Sequence, residues 1–279
     1  MLSIKLLFPC LILLSGCQAN NNVIVDTTDN DTLPITSTVI KQNEGIKTIH
    51  VFVALCDNKY QGIVPVPAAI GNGQDGKNNL YWGAGYGVKS FFVNKTNDWK
   101  LLSSEKNLSK EILERLLFKH SSKNIYLLAD AYDGQFIRQT TIDFLNASSG
   151  NYATETKTGE GTIYFGRSSN LIAYVGHDGL MDFSLQQTFK GDTTRKRETI
   201  VLACYSKNYF LSHIKQTGAS PLVWTTGLMA PEAYTLHAAI NMWTENKPVP
   251  DIRTAAATAY SKYQKCSLKA AKNLLVSGW

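Results

Sequence analysis

The chain of 279 residues holds no uninterrupted apolar run long enough to cross a bilayer, which excludes a helical membrane span. It shows no internal repeat, so solenoids and propellers are excluded as well. No cluster of basic residues stands out beyond Arg195-Lys196-Arg197, and aromatic residues do not interleave with basic ones, which argues against nucleic acid as a partner. Cysteine is scarce. Beyond the N-terminal region only Cys56, Cys204 and Cys266 remain, an odd number, so at least one thiol is free or pairs between chains. No second histidine lies at helical or short-loop spacing from His177, Asp178 and Asp182, so no metal set is expected. No cofactor is expected either. The glycine-rich stretch GNGQDGKNNLYWGAGYG (71–87) lacks a Gly-Lys-Ser/Thr ending and does not run straight from a strand into a helix. It reads as a structured surface loop near the site, not a phosphate cradle.

What is present begins with Lys5, an apolar segment from Leu6 to Leu14, and the closing Leu14-Ser15-Gly16-Cys17. The order of charge, short apolar run and small residues is that of a secretion signal. Leu-Ser-Gly-Cys resembles the bacterial lipobox. The resemblance implies cleavage after residue 16 and a mature N-terminus at Cys17 carrying acyl chains, each buried CH₂ adding roughly 0.8 kcal/mol of anchoring. Gln18, not Asp, follows, and in Gram-negative lipoproteins this points to the outer membrane. Removal of residues 1–16 takes away Lys5 and lowers the formal charge from +6 to about +5. Residues 17–47, rich in Asn, Thr, Asp and Gln, have the composition of a flexible tether.

From residue 48 onward, short apolar runs alternate with amphipathic segments. Ile49–Leu55, Asn124–Ala129, Leu171–Val175, Thr199–Ala203 and Pro221–Thr225 read as strands covered on both faces. Ser109–His120, Gln135–Leu145 and Pro231–Trp243 space their apolar residues as helices. GVKSFFVN and DWKLL read as a hairpin inserted after the first strand. The expected fold of residues 48–279 is therefore α/β: a doubly wound, mostly parallel sheet with helices on both faces.

In such sheets ligands bind outside the carboxyl ends of the strands. The residues that follow the five predicted strands are all polar: Cys56-Asp57-Asn58, Asp130 to Gly134, Gly176-His177-Asp178-Gly179, Cys204-Tyr205-Ser206 and Thr225-Thr226-Gly227. His177 and Cys204 are 27 residues apart, room for one crossover helix between neighbouring parallel strands. An imidazole beside a thiol can take its proton, and flanking glycines leave space for a substrate backbone. The chemistry fits acyl transfer.

A strand ending in Gly-His followed by one ending in Ala-Cys-x-Ser resembles the clan of cysteine peptidases that includes caspases, legumains, gingipains and clostripain. The likeness covers about residues 48–245 and takes in LADAYDG (128–134) and TTGLMAPEAY (225–234). It implies a caspase-like domain cleaving peptide or protein substrates, with His177 as catalytic histidine, Cys204 as nucleophile, and oxyanion contacts from the backbone around Gly179 and Cys204. One departure stands out. Asp178 intervenes where the family has glycine directly after the histidine. A second expectation is a non-catalytic binding or assembly module of the envelope on the same scaffold.

Other thiol chemistries fit less well. A phosphatase loop needs arginine six residues after its cysteine, where this chain has Phe210. A class I amidotransferase needs a His-Pro-Glu, and Ala230-Pro231-Glu232 lacks the histidine. Asp57, Asp133 and Asp182 are candidate pocket acids that would favour a basic residue before the scissile bond, although loop aspartates are commonly turn formers.

Overall fold

Lys47–Ala54 supplies β1, the strand around which the others assemble. Its alternating side chains serve two different cores: Ile49, Val51 and Val53 face one layer, while Phe52 and Ala54 face the other. The computed structural model describes residues 43–191 and 195–279. The expected signal peptide and Cys17 lie outside the described residues, as does most of the expected tether. The described end of that stretch touches the domain: the Asn43 side-chain amide donates to the Tyr164 carbonyl at 2.7 Å.

After β1 come α1 (Val88–Asn94), β2 (Trp99–Lys106), β3 (Ile112–His120), β4 (Ile125–Tyr132) and α2 (Ile137–Ser149). Next are β5 (Ala153–Thr158), β6 (Gly161–Gly166), β7 (Leu171–Gly176), β8 (Glu198–Leu202) and α3 (Ser206–Thr217). The chain closes with β9 (Ser220–Thr225), α4 (Ala233–Thr244), α5 (Val249–Gln264), α6 (Leu268–Leu274) and β10 (Leu275–Val276). The main sheet has eight strands in the order β10-β9-β8-β7-β1-β4-β3-β2, and β5-β6 form a separate hairpin. From β9 to β4 all neighbours run parallel, whereas β3, β2 and β10 join antiparallel. The protein is thus α/β, with a mostly parallel mixed sheet and helices on both faces.

One helical layer packs α1, α4, α5 and α6 on the face carrying Val51, Ala173 and Ile200. The other packs α2 and α3 against Phe52, Tyr174 and Val201. Each buried Val, Leu, Ile or Phe contributes roughly 1.5–3 kcal/mol relative to exposure. All five expected strands lie in this sheet. Gln135–Leu145 became a 3₁₀ turn running into α2, and Pro231–Trp243 became α4.

Two expectations are corrected. Ser109–His120 is not a helix: its apolar part is β3, buried almost throughout. Ile112, Leu113, Leu116 and Leu117 satisfy helical spacing, but a strand covered on both faces loses its alternation and mimics it. The charges between them are absorbed in place, Glu114 by Lys89 at 2.7 Å and Trp82 at 2.7 Å, and Arg115 by Asp130. GVKSFFVN is not a hairpin arm either, because Val88, Phe91 and Phe92 at i, i+3 and i+4 form the buried stripe of α1. The hairpin after β1 exists, built from β2 and β3 as an antiparallel extension of the sheet.

Candidate functional site

Sheet order reverses at β1. The chain passes to β4 on one side and returns to β7 on the other, so the carboxyl ends of β1 and β7 flank a topological switch point. Ala54 and Gly176 are paired there. Gly176 has φ +145°, and a Cβ on it would stand 2.6 Å from the Ala54 carbonyl oxygen. Only glycine fits, and its conformation turns the next residue, His177, out of the sheet.

His177 is almost wholly buried, yet it lines a cleft. Its main-chain oxygen accepts from the Tyr174 hydroxyl at 2.8 Å. Its ring Nε2 lies 2.8 Å from Asp182 Oδ2, an oxygen that also accepts from the Gly62 N–H at 2.9 Å. A proton on Nε2 shared with this carboxylate leaves Nδ1 as the basic nitrogen. Asp182, expected in a substrate pocket, is instead the partner of the histidine.

Asp178 does not pair with the ring beside it. Its fully buried carboxyl accepts from the Leu180 N–H at 3.0 Å and caps a 3₁₀ turn over Gly179–Met181, while Oδ2 has no partner. Burial, with Asp182 nearby, pushes this acid up to about 7. Gly179 sits back from the cleft under Phe183, whose ring a Cβ would meet at 2.7 Å, and beside Ile137. Gly179, whose backbone was expected to contribute oxyanion contacts, is not among the residues that line the cleft.

Cys204 emerges after β8, the strand next to β7, and lines the same cleft as His177. Among the described residues, the connection between them holds the 3₁₀ turn and no α-helix, where a crossover helix was expected. The half-buried thiol accepts from the Met229 N–H at 3.4 Å and lies 3.6 Å from the Met229 carbonyl. Burial raises its pKa, the Met229 contact lowers it, and the charge of Asp178 raises it further, with a net shift upward. The resting group is therefore a thiol.

The turn that carries Cys204 is held from below. Tyr205, φ +49°, takes the left-handed conformation, strain of about 1–3 kcal/mol for a non-glycine residue. Its N–H donates to Gly227 at 2.9 Å. Ser206 Oγ donates to the Val201 carbonyl at 2.9 Å and accepts from the Thr225 N–H at 2.9 Å, and Thr225 Oγ1 bonds the Ala203 carbonyl. This network ties the ends of β8 and β9 together. Sequence reasoning missed it, although Ser206 and Thr225 both appear in the polar strand endings that it singled out.

The cleft has a volume of about 510 Å³ and is bounded by the segments after β1, β7, β8 and β9. Asp57 and Asp133, the other two candidate pocket acids, are not in its wall. Asp57 accepts from the Lys59 and Tyr60 N–H groups at 2.8 and 3.1 Å, and Asp133 from the Gln135 N–H at 3.0 Å. The Gln74 amide bridges the two carboxylates at 2.8 and 2.5 Å. Both are turn formers whose oxygens are taken. Cys56 lies buried beneath Tyr81 with its pKa pushed up to about 11 by burial, and neither it nor Cys266 reaches the cleft. All three described cysteines are free thiols.

No protein-family profile, curated protein or solved structure matches the chain. Among the described residues no helix is long and apolar enough to cross a membrane.

Proposed function

We propose that the chain is a cysteine peptidase-like hydrolase with a caspase-like domain, anchored through acyl chains on Cys17 to the bacterial envelope, at its outer membrane. The observation that carries this reading is the delivery of His177 and Cys204 to one cleft by the ends of neighbouring parallel strands, with the histidine already held by Asp182.

In this reading His177 takes the thiol proton as Cys204 Sγ attacks the substrate carbonyl. The resulting imidazolium gives that proton to the leaving amine as the C–N bond breaks. A thioester remains on Cys204, and His177 then deprotonates the water that hydrolyses it, releasing the acid and restoring the thiol. Asp182 acts as a positioning residue that fixes the ring. Because the thiol is not ionised at rest, proton removal belongs to the attack step. An internally quenched peptide library incubated with the wild-type chain and with Cys204→Ala tests the proposal: turnover lost with the thiol supports it, and turnover unchanged in the variant sinks it. Palmitate labelling that persists in Cys17→Ser would refute the anchor.

A second reading, an envelope binding or assembly module on the same scaffold, draws on the upward shift of Cys204, which keeps the thiol a poor nucleophile. A thiol-reactive probe titrated against pH separates the two. A binding module shows Cys204 modified no faster than free cysteine at any pH, with or without His177.

A further inference from the structure

The cleft that holds Cys204 differs from the acidic pocket expected of Asp57, Asp133 and Asp182. Its walls are apolar: Ile63 and Val66 from the segment after β1, Leu80 and Tyr81 beyond them, and Met229 and Pro231 from the segment after β9. At its mouth stand Val64, 86% exposed, and Leu228, 67% exposed, the two most exposed large apolar side chains among the described residues. Apolar side chains gathered at the rim of an apolar hollow mark a surface completed by a ligand.

Among the described residues no lysine or arginine lines this cleft, and Glu232 is the sole carboxylate in its lining. Its Oε2 accepts from two neutral donors, the Tyr234 hydroxyl at 2.8 Å and the Gln264 amide at 3.2 Å. Asp182, just behind the wall, gives its Oδ2 to His177 and Gly62. A charged side chain entering here would shed water against mostly apolar walls, an aspartate or glutamate meeting no cation among the described lining residues and a lysine or arginine only Glu232, whose acidity burial weakens, whereas a leucine, methionine or phenylalanine would bury its surface against matching walls.

Resting on the peptidase reading, we infer that Cys204 acts on peptides bearing an uncharged, apolar side chain on the residue that donates the scissile carbonyl. An apolar hollow discriminates only weakly between side chains that differ by a methylene, so selectivity among Leu, Met and Phe is modest. Selectivity against charge is the larger effect.

Three peptidyl acyloxymethyl ketones, identical except for Leu, Lys or Asp beside the reactive ketone, test the inference on the full chain. The thiol sulfur displaces the carboxylate leaving group from the methylene carbon, its proton is taken up by His177, and the thioether adduct on Cys204 is located by mass spectrometry. The expected result is labelling of Cys204 by the Leu probe at least about tenfold faster than by the other two. Labelling of Cys204 by the Lys or Asp probe at an equal or higher rate overturns the apolar inference and leaves the peptidase reading standing. If none of the probes modifies Cys204 in the folded chain, although the thiol reacts once the chain is unfolded, both fall. Leu228→Glu, at an exposed position that the fold tolerates, is expected to raise the Lys-to-Leu labelling ratio several-fold, and an unchanged ratio removes the specificity site from this cleft.

Discussion

Two of the histidine–aspartate pairs among the described residues, one inside the sheet and one at its strand ends, have opposite characters. In the interior, His50 on β1 lies 3.0 Å from Asp130 on β4, and Arg115 on β3 grips the same carboxylate through Nε at 2.6 Å and Nη2 at 2.7 Å. Burial presses the Asp130 carboxyl upward, but the hydrogen bonds from Arg115 and His50 win and hold it below the ordinary range. Desolvation lowers His50, so its ring is neutral. The Asp130 charge is balanced by Arg115, although His50 Nδ1 is buried without a hydrogen-bond partner. At the strand ends, His177 pairs with an exposed aspartate, while the buried Asp178 beside it has one oxygen without a partner and no cation nearby among the described ion pairs. The same residue types make a structural joint where a guanidinium completes them and a candidate site where none does. A polar cluster reads as functional when its charges are left uncompensated and open to a cleft.

The sharpest contrast comes from removing the central group of each cluster. Cys204→Ala is expected to abolish peptide hydrolysis and covalent labelling while leaving the thermal midpoint nearly unchanged, measured by quenched-peptide assay and calorimetry. Arg115→Met should do the reverse, lowering stability by about 3–5 kcal/mol, because it strands the buried Asp130 charge. Chemical denaturation reads this directly, and a loss below about 1 kcal/mol would erase the distinction between the two regions.

His177→Ala comes next, with kcat lowered about 10²- to 10⁴-fold and the fold intact. Asp182→Asn should cost less and act through kcat more than KM, as expected of a residue that only positions the ring.

The third contrast is in pH. With Asp178 held at about 7 in the folded chain against about 3.9 when unfolded, the folded state binds the extra proton between these values. The contribution of Asp178 to stability is therefore full below about pH 4, falls as pH rises to about 7, and is flat above, a loss of at most about 4 kcal/mol at roughly 1.4 kcal/mol per unit. Asp178→Asn should flatten this profile, raise the midpoint at pH 8, and speed thiol labelling of Cys204 there, because the charge that raises the thiol is gone. Asp130→Asn, in the compensated cluster, should instead destabilise at every pH. A stability difference between wild type and Asp178→Asn that does not change between pH 4 and 7 would contradict the assignment.

The smallest effects belong to Cys56→Ala and Cys266→Ala. Neither side chain reaches the cleft, so turnover per folded molecule should stay within about twofold, and burial of Cys56 should confine its cost to about 1 kcal/mol of stability.

Much of the central sheet was legible because strands buried on both faces are written as unbroken apolar runs, and LIAYV or TIVLA hardly reads otherwise. The same property hid β3, where the ILERLLFKH run also satisfies helical spacing. Its Glu114 and Arg115 look like solvent-facing charges until Lys89, Trp82 and Asp130 are seen to meet them. At the site, His177 and Cys204 were readable as strand endings. The role of Asp182 was not, since only the 3₁₀ turn capped by Asp178 returns an aspartate five residues along to the ring.

By itself, then, the sequence determined which segments are buried, that strands and helices alternate, and that a thiol and an imidazole end two successive parallel strands. These follow from hydrophobic period and chain order, which are local. Tertiary structure alone decided between pocket acid and turn former for Asp57 and Asp133, that Ser206 and Thr225 brace the Cys204 turn, and that the cleft is apolar instead of acidic. Such outcomes depend on which groups from distant segments meet and exchange water for one another, and no local pattern records that.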